Sequence, residues 1–181
     1  MTSYRARQVS TLPTPVGVYA LCDLDEVPIY VGQSIDGIRS RVQRHLTSAR
    51  SDMIANRQID VWEIAYVWSW STDLANIAAL EAHLFHEFNA QSPLMNGTVP
   101  AHPGAIGFAM PEKHRVQVLG DDEIELRRRP EHRLPRQAQH YERLLDHILQ
   151  VKDNVQLRRS LAAHFARLSR YHEQFLKPPR G

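Results

Sequence analysis

Five side chains stand at spacings that would let them act together. Tyr19 and Tyr30 lie in two apolar segments joined by a short polar turn, so an antiparallel hairpin is the simplest connection between them. That pairing would bring the two phenols to one surface. Arg41 and His45 are four residues apart in a segment with helical periodicity, which places them on one helix face.

The fifth side chain, Glu81, falls inside the apolar stripe of a second predicted helix. Its neighbours in that stripe are Ile77 and Leu84. A carboxylate on the inward face of a helix is unfavourable unless it is paired with a cation or bound to a metal. The pattern therefore indicates a charged site at the place where these elements meet.

The elements that must position these residues are three strands and two helices. β-branched and aromatic residues indicate strands at 16–22, 28–32 and 60–68. The first helix is predicted over 37–50, and the second begins at Ser71, Thr72 or Asp73 and ends near Asn89. The inner stripe of the second helix is predicted to contain Leu74, Ile77, Leu80, Leu84, Phe85 and Phe88.

The remainder of the chain divides into a loop-rich part and a helical part. Pro and Gly residues indicate loops from 90 to 114, and a second small hairpin is predicted from the segments 116–119 and 123–126. Two amphipathic helices are predicted at 134–151 and 154–176. The predicted organisation is a lead (1–15), a catalytic domain (16–97), a connector (98–133) and a C-terminal helical pair (134–177).

Composition narrows the class of protein. The chain has 181 residues and one cysteine, Cys22, which excludes an internal disulfide framework and a multi-cysteine zinc finger. No apolar stretch approaches the roughly 20 residues of a membrane span, and the first residues lack the apolar core of a secretory signal. We therefore expect a soluble cytoplasmic protein that does not enter membranes.

Charge is distributed unevenly along the chain. Residues 1–126 contain 9 Lys/Arg and 15 Asp/Glu, a net charge of −6, whereas residues 127–181 contain 13 Lys/Arg and 5 Asp/Glu, a net charge of +8. A basic segment on an acidic body is typical of proteins that bind a polyanion. The alternative is a solvated basic helix face, and charge alone does not choose between the two.

The motifs in residues 16–97 resemble those of the GIY-YIG nuclease superfamily. The matching elements, in chain order, are Gly17-Val18-Tyr19, Tyr30-Val31-Gly32, Ser34, the helical set Ile38, Arg41 and His45, the acidic residue Glu81, and the closing asparagine Asn96. Each tripeptide alone is weak evidence, but six elements in the right order and spacing are strong evidence.

The resemblance implies an α+β fold, with a small three-stranded antiparallel sheet flanked by helices and here a C-terminal helical extension. It also implies a metal-dependent endonuclease that uses Mg²⁺ or Mn²⁺ and acts on DNA in restriction, phage defence or repair, with RNA left open as a substrate. Cutting both strands at one site with one small module would favour a homodimer.

The resemblance assigns roles to the clustered side chains. Glu81 is the expected metal ligand, and Arg41 is expected to hold the scissile phosphate because its guanidinium stays charged. Tyr19 is the preferred acceptor of the proton from the attacking water, which requires nearby positive charge to lower its pKa. Tyr30 would bind phosphate or water, and His45 would orient groups or shuttle a proton.

Further contacts to nucleic acid are expected beside this site and in the C-terminal part. Gln33 occupies the position at which many superfamily members carry a lysine. The predicted nucleic-acid-binding residues are Gln33, Arg39, Arg44, Arg127, Arg128, Arg129, Arg133 and Arg136. For the last five, an equally weighted alternative is that the helical pair simply packs on the sheet.

Several less specific interpretations remain open. Trp62 and Trp68 share a strand parity typical of core residues, whereas Trp70 near the strand end could stack on a base. The alternative function is a nucleic-acid-binding module with a vestigial nuclease site. A third interpretation is a partner-binding protein that uses its C-terminal helices.

Overall fold

The structure is a computed structural model that describes residues 3–47 and 58–177. The helices and strands in those ranges, in chain order, are α1 (Ser3–Ser10), β1 (Gly17–Cys22), β2 (Pro28–Ser34), α2 (Ile38–Thr47), β3 (Tyr66–Ser71), α3 (Ile77–Gln91), β4 (His114–Gln117), α4 (Asp121–Arg128), α5 (Pro130–Gln150) and α6 (Val155–Leu176). The predicted end of the first long helix, at Arg50, lies outside the described residues.

One antiparallel sheet organises the described part of the chain, with strand order β2-β1-β3-β4. The predicted α+β class, with helices flanking an antiparallel sheet and a helical region at the C-terminal side, is confirmed. The sheet has four strands rather than three, because β4 returns after the long loop and pairs with β3. Buried Val116 of β4 lies opposite Val67 of β3 and extends the apolar face of the sheet.

The predicted second hairpin is wrong. Its first segment overlaps β4, which joins the main sheet, and its second segment lies in helix α4. Gly120 is the N-cap of α4, and Asp121, Asp122 and Glu123 form its first turn. Acidic residues at that end of a helix interact favourably with the helix dipole, so the Gly-Asp-Asp sequence begins a helix here instead of making a turn.

The third strand begins later than predicted. The Asp60 side chain accepts a hydrogen bond from the Trp62 backbone N–H at 3.1 Å and caps a 3₁₀ helix over Val61–Glu63. Trp62 therefore does not lie on the strand. Trp70, which the sequence left open for base stacking, is buried and packs against Phe88 with ring centroids 6.0 Å apart.

Apolar residues cover both faces of the sheet. Tyr19 and Leu21 of β1 share one core with Ile38 and Val42 of α2, and α1, which lies in the predicted lead, adds Val9 to it. The opposite face packs against α3. Its core contains Val18, Ala20, Leu80, Leu84 and Phe85. Leu74 was predicted to belong to this inner stripe, but it precedes the start of α3 at Ile77 and is 64% exposed.

The C-terminal helices α5 and α6 form a pair with a small core of its own, made by Leu144, Ile148 and Leu157. The Asn154 side chain caps α6 by accepting the Leu157 N–H at 2.8 Å. The helix α5 begins four residues before the predicted start, with Pro130 in its first turn. The division of the chain into four domains remains a prediction.

Ion pairs connect this helical pair to the sheet domain. Buried Arg133 of α5 donates to Glu63 at 2.8 Å and to Asp25 at 2.5 Å. Arg167 of α6 donates to Asp23, which is fully buried just after β1. The unequal charge of the two parts of the chain is thus partly neutralised inside the molecule. Within the described ranges, no helix combines the length and apolar character needed to cross a membrane.

Candidate active site

A glycine allows the two tyrosines to lie side by side. Tyr19 of β1 is opposite Gly32 of β2, and Tyr30, two residues before Gly32, points to the same face of the sheet. A Cβ atom at position 32 would lie 2.7 Å from the Tyr19 hydroxyl oxygen and 2.8 Å from Cε1 of Tyr30. Because glycine leaves that space free, the two rings pack with their centroids 6.3 Å apart.

The helix α2 places an imidazole against both phenols. Its apolar residues Ile38 and Val42 are buried against the sheet, which turns His45 toward the tyrosines. The Tyr19 hydroxyl lies 2.7 Å from Nε2 of His45, within the buried interior. The His45 ring centroid is 5.8 Å from that of Tyr19 and 6.1 Å from that of Tyr30.

Burial is the main influence on the pKa values of the two phenols. It raises the pKa of Tyr19 well above its ordinary value, and the nearby Tyr30 adds to the rise, whereas Arg41 opposes it. Burial also raises the pKa of Tyr30, with a further contribution from Glu81. Arg41 is close enough to act on both phenols, yet it does not outweigh burial. The expectation that positive charge would lower the pKa of Tyr19 is therefore not met in the protein alone.

Glu81 of α3 reaches the same site from the edge of the sheet. Its half-buried carboxylate accepts a hydrogen bond from the backbone N–H of Gln33, near the end of the edge strand β2. Burial raises its pKa, and that hydrogen bond only partly opposes the rise. Across the described ranges, no Lys, Arg or His forms a salt bridge with Glu81.

The donor set at Glu81 fits a magnesium-like ion. A carboxylate that is partly desolvated and has no cationic partner gains stabilisation from a bound divalent cation. The part of the chain that the structure describes contains no group of three or more His, Cys, Asp or Glu side chains suited to hold a metal. A single carboxylate suits Mg²⁺, which retains several waters and binds substrate phosphate oxygens.

Asn96 contacts backbone rather than the clustered side chains. Its Nδ2 donates to the Val31 carbonyl at 2.7 Å, and its Oδ1 accepts the Val31 N–H at 3.1 Å. The neighbouring Met95 N–H donates to the Ile29 carbonyl at 2.7 Å. These bonds hold the outer edge of β2 on either side of Tyr30. The structure thus gives Asn96 a positioning contact, and its expected catalytic role remains a prediction.

Comparison with known proteins agrees with this arrangement. Residues 15–94 match the family model described as the GIY-YIG catalytic domain. This segment is a GIY-YIG domain. The resemblance read from the motifs is confirmed, and the domain implies an endonuclease-type enzyme with a nucleic-acid substrate. A search of the curated proteins finds no match to the chain.

Three polar residues of the GIY-YIG domain were expected to bind nucleic acid near the site. Arg39 is half-buried, and its Nε donates to the Leu12 carbonyl at 2.9 Å, so that donor holds the segment before β1. Arg44 and the side chain of Gln33 are exposed. These two side chains remain accessible to a substrate, and their binding role remains a prediction.

The five arginines of the basic run lie outside the GIY-YIG domain, and four of them are used within the molecule. Arg136 donates to both oxygens of Asp60, at 2.6 and 2.9 Å. Arg133 is buried between Glu63 and Asp25. Arg127 bonds to Glu123 and to the Trp62 carbonyl, and Arg128 bonds to the Leu24 carbonyl and pairs with Asp25.

These internal contacts compete with the expected phosphate-binding role of those four arginines, and that role remains a prediction. A guanidinium that already neutralises a carboxylate would have to leave it before binding a phosphate. The packing alternative for the helical pair is therefore favoured. Arg129, at the N-cap of α5, is exposed and remains the member of the run that is available to a polyanion.

Asp23 is an organising residue that the sequence motifs do not reveal. Asp23 directly follows β1, the strand of the GIY-YIG domain that carries Tyr19, and it is fully buried. Its carboxylate accepts hydrogen bonds from Arg167, from the Tyr171 hydroxyl at 2.8 Å and from the Val27 N–H at 2.8 Å. The available signal was an acidic residue at the end of a fully apolar strand, together with arginines in amphipathic helices far along the chain.

Proposed function

We propose that the protein is a divalent-metal-dependent endonuclease that hydrolyses phosphodiester bonds in DNA. The observation that carries this proposal is that Tyr19, Tyr30 and His45 pack together while Arg41 and Glu81 lie close enough to act electrostatically on both phenols. Together, these side chains match the needs of the reaction, which are a phosphate-binding cation, a metal ligand and a route for the proton of the attacking water.

Arg41 is the phosphate-binding group in this proposal. Its Nε is buried and has no hydrogen-bond partner within the described ranges. An unsatisfied buried donor on a charged group is unfavourable, and a phosphate oxygen would satisfy it with a charge-assisted hydrogen bond. Arg41 also acts electrostatically on both phenols, so the phosphate would lie beside them.

Glu81 would hold the metal ion. When bound, Mg²⁺ or Mn²⁺ supplies Lewis-acid stabilisation of the phosphoryl oxygens and of the leaving alkoxide. The backbone N–H of Gln33 keeps the carboxylate oriented at the strand edge. Charge from the ion would favour the ionised form of Glu81 and oppose the rise of its pKa that burial causes.

The proton of the attacking water would leave through Tyr19 and His45. The raised pKa of Tyr19 keeps its phenol protonated, and in the His45 tautomer whose Nε2 carries no proton the phenol O–H donates to Nε2 across the 2.7 Å contact. The phenol oxygen can then accept the proton of water while it passes its own proton to the imidazole. This relay does not require a phenolate beforehand. Tyr30, beside both rings, would hydrogen-bond the water or the phosphate.

The proposed setting is a cytoplasmic enzyme of restriction, phage defence or repair. Double-strand cleavage at one site with one small catalytic module would favour a homodimer. Sedimentation equilibrium of the protein on a duplex that it cleaves tests the assembly. A dimer on the cleaved duplex supports it, and a monomer counts against it.

The experiment that tests the function is a cleavage assay on single-stranded DNA, duplex DNA and RNA oligonucleotides, with Mg²⁺, Mn²⁺ or a chelator. The test variant is Glu81→Gln, which keeps the side-chain shape and removes the charge. Glu87→Gln is a matched control because Glu87 lies on the same helix with an exposed side chain that contacts His83.

We expect metal-dependent cleavage of DNA by the wild type and by Glu87→Gln, and loss of cleavage in Glu81→Gln with its fold intact. Equal cleavage by all three proteins would refute the role of Glu81. Tight binding of DNA without cleavage by the wild type would instead support the vestigial binding module.

A further inference from the structure

The strand that carries Tyr30 is held from outside the sheet. β2 is an edge strand, so its outward N–H and C=O groups need partners. Met95 bonds to Ile29, and the Asn96 side chain bonds to both polar groups of the Val31 backbone. Tyr30 lies between these two attachment points. Its position therefore depends on where residues 95 and 96 are held.

The helix α6 in turn holds the segment that contains Met95 and Asn96. Ser160 of α6 is fully buried, and its hydroxyl has two acceptors within reach, the Met95 carbonyl at 2.9 Å and the Gln156 carbonyl of its own helix at 3.1 Å. The Met95 carbonyl is the nearer acceptor. Two residues along the segment, a Cβ atom at Gly97 would lie 2.8 Å from Cβ of Gln156, so α6 runs against the backbone there. Met95 is thus held at both of its backbone polar groups: its carbonyl contacts the Ser160 hydroxyl, and its N–H donates to Ile29 of β2.

Further contacts of α6 fix the beginning of the same segment. Arg159 donates to Asn89 near the end of α3 at 3.0 Å, and Arg167 donates to the hydroxyl of Ser92 at 3.3 Å. α3 is the helix that carries Glu81. The helix α6 therefore runs along the connection between the element that bears the metal ligand and the residues that hold Tyr30.

We propose that α6 is a brace for the catalytic site and that Ser160 is a positioning residue that sets Tyr30 through Met95. The inference rests on the proposed function for its catalytic consequence. Removing the Ser160 hydroxyl leaves the Met95 carbonyl without a buried donor, which loosens Met95 and its bond to Ile29. Tyr30 then samples positions away from Tyr19 and His45, and productive geometry is lost although substrate contacts elsewhere persist.

The test compares Ser160→Ala with Ser160→Thr, which keeps the hydroxyl, and with Ser169→Ala as a matched control. Ser169 is on the same helix but lines an outward groove with Leu134 and Phe165. The first readout is amide hydrogen exchange of the Val31 N–H, measured by NMR, with Ala20 of β1 as an internal reference. The second is kcat and KM for cleavage of a DNA oligonucleotide with Mg²⁺.

We expect Ser160→Ala to exchange the Val31 N–H about tenfold faster and to lower kcat about tenfold, which corresponds to the net contribution of one hydrogen bond. KM should stay within about twofold, because Arg41 still binds phosphate. Ala20 exchange should be unchanged. Ser169→Ala should behave as wild type, and Ser160→Thr should restore kcat and the exchange rate.

Unchanged exchange of Val31 in Ser160→Ala would overturn the brace. Faster exchange at Ala20 and Val31 alike would also overturn it, because this would report global destabilisation rather than local release. If Ser160→Ala does not fold, Ser160→Cys, with a similar volume and a weaker donor, gives the same readouts. Absence of cleavage by the wild type would refute the proposed function, while the exchange measurement would still decide the brace.

Discussion

At the scale of single residues, the side chains of the site are buried or half-buried, and desolvation raises the pKa values of Tyr19 and Glu81. The phenol of Tyr19 is protonated and points at His45, and the carboxylate of Glu81 is held by a backbone N–H. Sequence motifs identify these residue types but not their electrostatics. The direction of the pKa shifts depends on desolvation, which only the packed structure reveals.

The raised pKa of Glu81 predicts competition between protons and metal ions. A carboxyl with a raised pKa begins to take up protons at a higher pH than an ordinary glutamate, so cleavage should fall on acidification. A bound cation favours the ionised form, and more Mg²⁺ should therefore move the acid limb to lower pH. Rate profiles against pH at two Mg²⁺ concentrations measure this. An acid limb that ignores Mg²⁺ would contradict the assignment of Glu81 as ligand.

Gly32→Ala should lower the cleavage rate strongly without unfolding the protein. The added methyl would meet the Tyr19 hydroxyl at 2.7 Å, so one or both phenols must move. A displacement near 1 Å at a reacting group lowers the rate by about 100-fold. The matched control is Gly107→Ala, where a Cβ meets nothing within 4 Å. Circular dichroism checks the fold, and equal rates for the two variants would count against the steric role of Gly32.

At the scale of helices and strands, hydrophobic periodicity predicts those elements whose buried face is made by apolar residues close together in the sequence. β1, β2 and the core of α3 follow from runs or stripes of apolar residues. Residues 60–65 have the composition of a strand, but the Asp60 cap and the pairing of Glu63 with Arg133, 70 residues away, accompany a 3₁₀ helix over Val61–Glu63. Such distant partners cannot be read from local sequence.

The same limit applies to the C-terminal helices. Their apolar stripes predict two helices, and the structure contains them as α5 and α6. The sequence does not indicate that a serine on α6 is fully buried against the Met95 carbonyl. Local sequence therefore locates the helices but not the face with which α6 contacts the catalytic segment.

The contact between α5 and α6 should weaken in acid. His164 of α6 is buried and stacks on His140 of α5 with ring centroids 4.8 Å apart, and burial lowers the pKa of His164 to about 3. This value lies below the ordinary 6.5, so the stabilisation is fully present above pH 6.5 and is lost progressively as pH falls toward 3. His164 should therefore reduce the free energy of unfolding by at least about 1 kcal/mol between pH 7 and pH 5.

Chemical denaturation of the wild type and of His164→Phe at several pH values checks this expectation. Phenylalanine keeps a flat ring in the stack and cannot take up a proton. The pH dependence of stability should be shallower in His164→Phe. Equal slopes for the two proteins would show that His164 does not titrate as its burial indicates.

At the scale of the whole molecule, the opposite charges of the two parts of the chain have a structural use. Acidic residues of the sheet domain, among them Asp23, Asp60 and Glu63, meet arginines of the C-terminal helices. The charge count predicted a basic segment but not its partner. Several arginines of the C-terminal helices therefore form ion pairs within the molecule instead of facing a ligand.

Arg133→Met should destabilise the protein strongly, because it leaves Glu63 and Asp25 without their shared cation. Removing one partner of a buried ion pair costs about 3–5 kcal/mol. Arg158→Met is the matched control, since Arg158 pairs with Asp153 on the exposed surface of α6 and should change stability little. Urea unfolding measures both variants. Equal midpoints would contradict the structural role of Arg133.

The central claim is that Glu81 holds a metal ion against a phosphate bound by Arg41 beside the two phenols. The most direct test is the single-turnover rate of cleavage of a labelled DNA duplex as Mg²⁺ is titrated, for wild type and Glu81→Gln. We predict a saturable dependence on Mg²⁺ for the wild type and a rate at least about 1,000-fold lower for Glu81→Gln, with duplex binding retained. A Glu81→Gln rate within a few fold of wild type at every Mg²⁺ concentration would contradict the claim.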